Sequence, residues 1–503
     1  MPILLVLFVT AACLPVPWPA PPFGLGARDA AGLNAAVVVT SLAAAAALRT
    51  WAVRTLRRDP GRRADVARVY GRLRRAFGLV NLAAAGVMVA GLGWGWTVQN
   101  TLVVMHEGFE VLAPLAELAV PLPYFVVLLG GWLLYYDAEK ALHAFGGART
   151  FPGRAGYVFG HARLLLLMVG LPVVMYAGLQ SLGRFAPELA TADAFRIASL
   201  ALLPGFAVVM PLFARPLLGL RRLPPGPTRD RLEALARRLR FRYPDLLLWP
   251  THGTMANALI AGLIPQARYV VFTDRILDEF PADEVDAIFG HEVGHQRHGH
   301  LWLYAAFILL SVVDLSALAL WGAKRLGGPL DPTAADAPWW LALPPVGLAA
   351  GYIFLVFGFL SRRCERQADV FGCRAVSCGN PACTGHNPDT DFPAGGAALC
   401  PTGIHTFVRA LERVELLSGL DDPTPRRPAS RLLRGALGWL RSWQHGPIRR
   451  RVAFLLDLID HPARERRFQR RVLAFRVALM VGLLTVLIVL GEAVGWRTLL
   501  ATL

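Results

Sequence analysis

Apolar stretches of about 17 residues or more, the length a helix needs to cross the hydrocarbon core of a bilayer, recur along this chain and limit what it can fold into. They lie near 2–18, 32–48, 78–98, 119–136, 164–182, 197–214, 301–321, 339–360 and 477–491. Charged residues make up only 17% of the 503, and hydrophobic ones 55%. An average soluble domain has about 25% charged residues, so the reading is a mainly α, multi-pass helical membrane protein of about nine spans.

Loop charge orients those spans. The segment from Arg49 to Arg75 carries Arg54, Arg57, Arg58, Arg62, Arg63, Arg68, Arg72 and Arg74. Two spans later come Lys140, Arg149, Arg154 and Arg163, and two spans after that the run from Arg221 to Arg242. The intervening loops are short or acidic, with Glu107, Glu110, Glu188 and Asp193. Alternate basic loops belong on the cytoplasmic side of a cell membrane. This sets the N-terminus inside, the C-terminus outside, and the two long non-membrane segments, 221–300 and 361–472, in the cytoplasm. The first run lacks a positive lead-in and reads as a span or anchor, and Thr10-Ala11-Ala12-Cys13 matches a lipoprotein box poorly. The formal charge of +17 is absorbed by these loops. No nucleic-acid module is visible, so the expected partners are the lipid bilayer and a polypeptide. Oligomeric state is left open.

Within 221–300, Leu232, Leu235 and Leu239 recur at helical spacing, as a packing stripe or a membrane-surface face. Residues 256–262 and 269–273 are short β-prone runs fit for a hairpin. Pro281-Ala282-Asp283-Glu284 then opens an amphipathic helix with acids in its first turn. That helix carries His291, Glu292 and His295, the pattern H-E-x-x-H. A four-residue step brings both imidazoles to one face about a turn apart, where they can ligate one zinc ion with Glu292 placed as general base. The alternative is a histidine-rich helix end. His298, on the same face, lies about 10 Å from His291 along the axis, too far to share the ion, and His300 falls off the face. The extended motif with a third His is absent, because 298 is His where Gly is needed and 301 is Leu where His is needed.

After the eighth apolar run comes Ser361-Arg362-Arg363-Cys364-Glu365-Arg366-Gln367-Ala368-Asp369. Glu365 and Asp369 share a helix face. Glu365 can complete a His2Glu site and Asp369 can orient a ligand imidazole. A solvated acid pair beside arginines is the bland alternative.

H-E-V-G-H-x-x-x-G-H followed, after a membrane hairpin, by S-R-x-x-E-x-x-A-D resembles the integral-membrane gluzincins, the family of the HtpX heat-shock protease and the type I CAAX prenyl endopeptidases. The resemblance covers roughly 221–470. It implies a cytoplasmic α+β zincin-type metalloprotease domain split by the membrane hairpin, with Glu365 as third zinc ligand and Asp369 orienting an imidazole. It also implies that Asn257-Ala258 lines a substrate cleft. Ser442-Trp443-Gln444-His445-Gly446-Pro447, with Arg451 and Val452 following, resembles the family's H-P-S-x-x-x-R-I element. His445 and Arg451 are thereby expected near the tetrahedral intermediate, with His461-Pro462 and Arg467 as the competing match. The expected plan is a multi-span region over 1–220, a first half-domain over 221–300, a hairpin over 301–360, a second half-domain over 361–472 and a last span over 473–503.

Five of the six cysteines cluster late in the chain. Cys373, Cys378, Cys383 and Cys400 form C-x4-C-x4-C-x16-C with His386 in the last gap. A second, structural zinc, free thiols and disulfides all remain open, cytoplasmic placement disfavouring the last. Cys364 reads as buried packing. Asp314 sits mid-span, where an acid is paired or faces a cavity, whereas Glu117 and His106 lie at span edges. The leading function is zinc-dependent endoproteolysis of membrane-associated or unfolded proteins, in quality control or in C-terminal CAAX-type processing. The rivals are a non-catalytic scaffold or sensor that retains the fold, and a transporter, which the single deep acid disfavours.

Overall fold

The computed structural model describes residues 18–103, 117–143, 151–186, 188, 193–253, 255–326, 343–386, 398–417 and 443–502. The first apolar run, Cys13, His106, Glu107, Glu110 and Ser442 lie outside them. Among the described residues, six helices are long and apolar enough to cross a membrane: Ala27–Arg58, Pro60–Gly91, Arg154–Leu179, His300–Arg325, Gly347–Ala375 and Ala463–Val494. The runs near 119–136 and 197–214 are also helical, as Leu122–His143 and Asp193–Leu217, but neither is among those six.

The chain divides into two compact units, Met1–Leu202 with Leu326–Leu343, and Leu203–Arg325 with Pro344–Leu503. In the first, Ala27–Arg58 packs along Leu122–His143. Asp137 binds Arg49 and, at 2.7 Å, Arg154. Glu139 binds Arg74 and accepts the Tyr70 hydroxyl at 3.2 Å. Residues from the first two basic segments thus meet at one end of the helices.

The second unit contains a four-stranded sheet and eight helices that the site depends on. In chain order they are β1 (Arg221–Arg222), α1 (Pro227–Arg238), β2 (Leu246–Trp249), β3 (Ala258–Ala261), β4 (Tyr269–Thr273), α2 (Asp274–Glu279), α3 (Ala282–Arg297), α4 (His300–Leu326), α5 (Leu343–Ala375), α6 (Pro401–Leu417), α7 (Ile448–Asp460) and α8 (Ala463–Val494). The sheet order is β1-β2-β4-β3. The expected hairpin is the antiparallel pair β3–β4, in which Ile260 faces Val270. To it the structure adds β2, parallel to β4. Leu246-Leu247-Leu248-Trp249 is a short apolar run without alternation, so periodicity alone does not mark it as a strand.

α3 is the central helix. Val285, Phe289 and Val293 recur every four residues and bury against Leu232, Leu235, Leu246, Val270 and Phe272 of α1 and the sheet. The leucine stripe of α1 is therefore core. Each such side chain, fully buried, contributes about 1.5–3 kcal/mol. On another face Ala287 joins Val370, Ile404, Phe407 and Leu455 of α5, α6 and α7. Buried Glu284 binds Arg413 of α6 through two hydrogen bonds of 2.7 and 3.1 Å.

Candidate active site

The approach of α5 to α3 is set by missing side chains. A Cβ on Gly294 would lie 2.8 Å from the Phe371 Cβ and 3.0 Å from the Ala368 Cα. One on Gly290 would lie 2.4 Å from the Ala375 Cβ. The H-E-V-G-H helix can accept α5 at this distance only through glycine. The contact brings Glu365 and Asp369, 70 or more residues on, to the imidazoles.

Donor atoms of His291, His295 and Glu365 lie within 4.8 Å of one another. The two Nε2 atoms are 3.2 Å apart. His291 Nε2 is 3.8 Å from Glu365 Oε2, and His295 Nε2 is 3.6 Å from Glu365 Oε1. Three donors around a tetrahedral zinc with bonds of about 2.0–2.2 Å would be separated by roughly 3.3–3.5 Å, so the set fits that ion closely.

Both imidazoles are oriented from behind. His291 Nδ1 lies 3.0 Å from Asp369 Oδ1, within reach although the contact is poorly aligned. His295 Nδ1 lies 3.0 Å from His300 Nδ1. His300 Nε2 meets Gln367 Oε1 at 3.1 Å, and Gln367 Nε2 donates to Gln469 Oε1 at 2.6 Å. The donor order that satisfies this chain has His300 donating from Nε2 and accepting at Nδ1 from His295. That leaves the His295 Nε2 lone pair directed at the cluster.

His300 is the residue that helical arithmetic missed. α3 stops at Arg297, and Gly299, with φ +66°, turns the chain before α4 begins. One continuous helix would carry His300 off the face, but the break folds it back beside His295. Gly299 four residues after His295 was the available signal.

Glu292 is half-buried beside the imidazoles. Burial pushes its carboxyl up to about 7, with Glu365 adding to the rise and His291 opposing it, and the Ile260 backbone of β3 holds it by a hydrogen bond. Asn257 sits exposed just before β3 and its backbone is tied to Thr273. Ala258 opens the strand. β3 is the end strand of the sheet order, paired with β4 among the described residues.

His445 and Arg451 both reach Glu365. His445 Nδ1 is 3.0 Å from Oε1 and Arg451 Nη1 is 3.2 Å from Oε2. The turn carrying His445 docks on α5: Arg362 donates to the Trp443 carbonyl at 2.7 Å, and Trp443 stacks on Phe354. Glu365 holds the His445 imidazole above its ordinary pKa. Arg451 is buried, with its Nε 2.8 Å from Asp369 Oδ2 and a second bond to Oδ1. Its guanidinium is engaged by two carboxylates, so it holds them in place. His461 pairs instead with Asp457 at 3.3 Å. Asp314 is buried in α4, and its two oxygens meet no hydrogen-bond donor among the described residues.

The cysteine run is regrouped. Cys378, Cys383, His386 and Cys400 converge within 4.8 Å, while Cys373 does not join them. It lies in the last turns of α5, on the face that packs with Val370, Ile404 and Phe407. Helix direction, which spacing along the chain does not convey, sends its thiol into the core. The cysteines described are free thiols, and Cys364 is fully buried.

Helices long enough to span a membrane and a His2Glu donor set drawn from two helices are the features that membrane metalloproteases combine. Comparison with known proteins returns the same class. Residues 228–384 match Peptidase family M48, whose metalloproteases are zinc-dependent, so the resemblance carried by the two motifs holds. A protease HtpX homolog of Aeropyrum pernix is 29% identical over 234 residues, which cover 43% of this chain and 69% of that protein. Protease HtpX of Pseudomonas paraeruginosa is 27% identical over 158 residues, 29% of this chain and 51% of its own length. The chain thus spans about half the length of the Pseudomonas relatives it matches. A crystal structure of S. mikatae Ste24p aligns over 69% of this chain and 76% of that one, with a TM-score of 0.43 and 16% identity.

Proposed function

We propose that the chain is a zinc-dependent endopeptidase that cleaves membrane-associated or unfolded polypeptides at the cytoplasmic face of a cell membrane. The observation that carries this reading is the convergence of two oriented imidazoles, one carboxylate and a raised glutamate in one cluster. Zinc held by His291, His295 and Glu365 would supply Lewis acidity to the scissile carbonyl and to an attacking water. Glu292 takes that water's proton, helped by a pKa near neutrality, and returns it to the leaving amine. His445, held beside Glu365, donates to the oxyanion that develops on the substrate. Arg451 neutralises Glu365 and Asp369 and keeps both carboxylates in register. An extended substrate runs along the β3 edge of the sheet, with Asn257 and Ala258 at its start and Glu292 alongside its centre.

The membrane setting supports a membrane-delivered substrate. α5 runs from an apolar span directly into Glu365, and α4 leaves the site at His300. Loop charge supports the cytoplasmic side. The test is cleavage of an unfolded protein by the full chain in detergent, with metal analysis. Glu292→Gln should retain its metal and lose cleavage. A metal-free wild type, or a Glu292→Gln protein that cleaves normally, overturns the reading.

A further inference from the structure

The loop between α5 and α6 brings together a second donor set, with the pattern C-x4-C-x2-H-x13-C over Cys378, Cys383, His386 and Cys400. Its four donors are the soft thiolates and imidazole that zinc prefers, and they number four, the closed count of a structural site. Tetrahedral Zn–S bonds of about 2.3 Å would separate the sulfurs by roughly 3.8 Å. The observed convergence within 4.8 Å needs little further movement.

The surroundings prepare these donors. His386 Nδ1 points into the cluster, 3.2 Å from Cys383 Sγ and 3.8 Å from Cys400 Sγ. Its other nitrogen, Nε2, meets the Val376 carbonyl at 3.0 Å. A carbonyl only accepts, so Nε2 carries the proton and Nδ1 is the nitrogen that faces the thiols. The Gly403 amide donates to Cys400 Sγ at 3.3 Å, and the Thr402 hydroxyl lies 3.3 Å from Cys383 Sγ. Donors of this kind stabilise thiolate charge. The thiols lie close together yet are unbridged by disulfides.

We propose that Cys378, Cys383, His386 and Cys400 hold a structural zinc ion that clips the end of α5 to the start of α6. Binding releases up to three thiol protons to solvent, with no redox change. The corner it clips is already tight. Ser377 donates to the Cys373 carbonyl at 2.8 Å and accepts the Cys400 amide at 3.2 Å. A Cβ on Gly403 would lie 2.3 Å from the Ser377 Oγ. α5 carries Glu365 and Asp369, and Phe407 of α6 stacks on His291, ring centroids 5.6 Å apart. The clip therefore braces both helices behind the catalytic cluster without touching substrate.

Cobalt(II) tests this independently of any peptidase activity, because only a cysteine site gives intense thiolate-to-metal charge-transfer absorption. The full chain in detergent, stripped by a chelator and reloaded with cobalt, should take up two equivalents and show that absorption. His386→Ala and Cys383→Ser should each lose one equivalent and weaken the band, while Cys373→Ala keeps both. A wild type without thiolate absorption overturns the proposal. So does a disulfide among the three thiols found by mass spectrometry of protein purified without reductant. Loss of the band in Cys373→Ala together with its retention in His386→Ala would overturn the donor assignment.

Discussion

The two donor clusters of the second unit are built in opposite ways. The His2Glu cluster draws on helices, its carboxylate comes from 70 or more residues away, and every ligand is backed by another side chain. The Cys3His cluster spans 23 positions of one loop and is backed largely by main-chain groups. The first has three protein donors, one short of a tetrahedral set, and the second has four. One arrangement suits chemistry and the other suits bracing.

The comparison can be broken most sharply at Glu292. Glu292→Gln should lower kcat/KM by about 10²–10⁴ while cobalt-thiolate absorption at the cysteine cluster is unchanged. An equal loss of both would mean that the clusters act as one. Next in size, Asp369→Asn removes the partner of His291 and a carboxylate bound by Arg451. Metal affinity of the His2Glu set should fall about 10–100-fold, measured by competition with a chelator, with the cysteine set unaffected. Gly294→Ala should cost about 1–3 kcal/mol of stability, read as a lowered melting temperature, because its methyl meets the Phe371 Cβ and the Ala368 backbone rather than a flexible side-chain end.

A pH series separates the two clusters more finely. Burial pulls the His291 imidazole down, but Asp369 overrides it and leaves its pKa above the ordinary value. Zinc must displace that proton, so loading of the His2Glu set should already begin to fall at a pH above the ordinary histidine range as the solution is acidified. The cysteine set loses up to three thiol protons on binding. Its log affinity should therefore rise by about two to three per pH unit near neutrality, against about one for the imidazole set. Equal slopes would argue that the second cluster binds through fewer thiols.

Much of this was legible in the chain. Spans follow from the length of apolar runs, and His291, Glu292 and His295 follow from the 3.6-residue period on a helix that opens with Asp283 and Glu284. The β3–β4 hairpin was visible in its β-prone runs, whereas β2 was hidden because an unbroken apolar tetrapeptide has no period. His300 was lost because Gly299 ends the helix, and periodicity holds only while a helix continues. Spacing groups Cys373 with the loop thiols because it counts residues but ignores side-chain direction, and the structure turns that thiol into the core.

By itself, then, the sequence determined a many-helix membrane protein with an H-E-x-x-H helix, since helix geometry and hydrophobic length are local properties. The structure decided which distant groups meet that helix. Close approach through Gly290 and Gly294 brought Glu365 and Asp369 to it, and the Trp443 turn brought His445. The fold of one loop exchanged Cys373 for His386. These are results of packing, in which contacts far apart in the chain are chosen by shape and burial, and no local period encodes them.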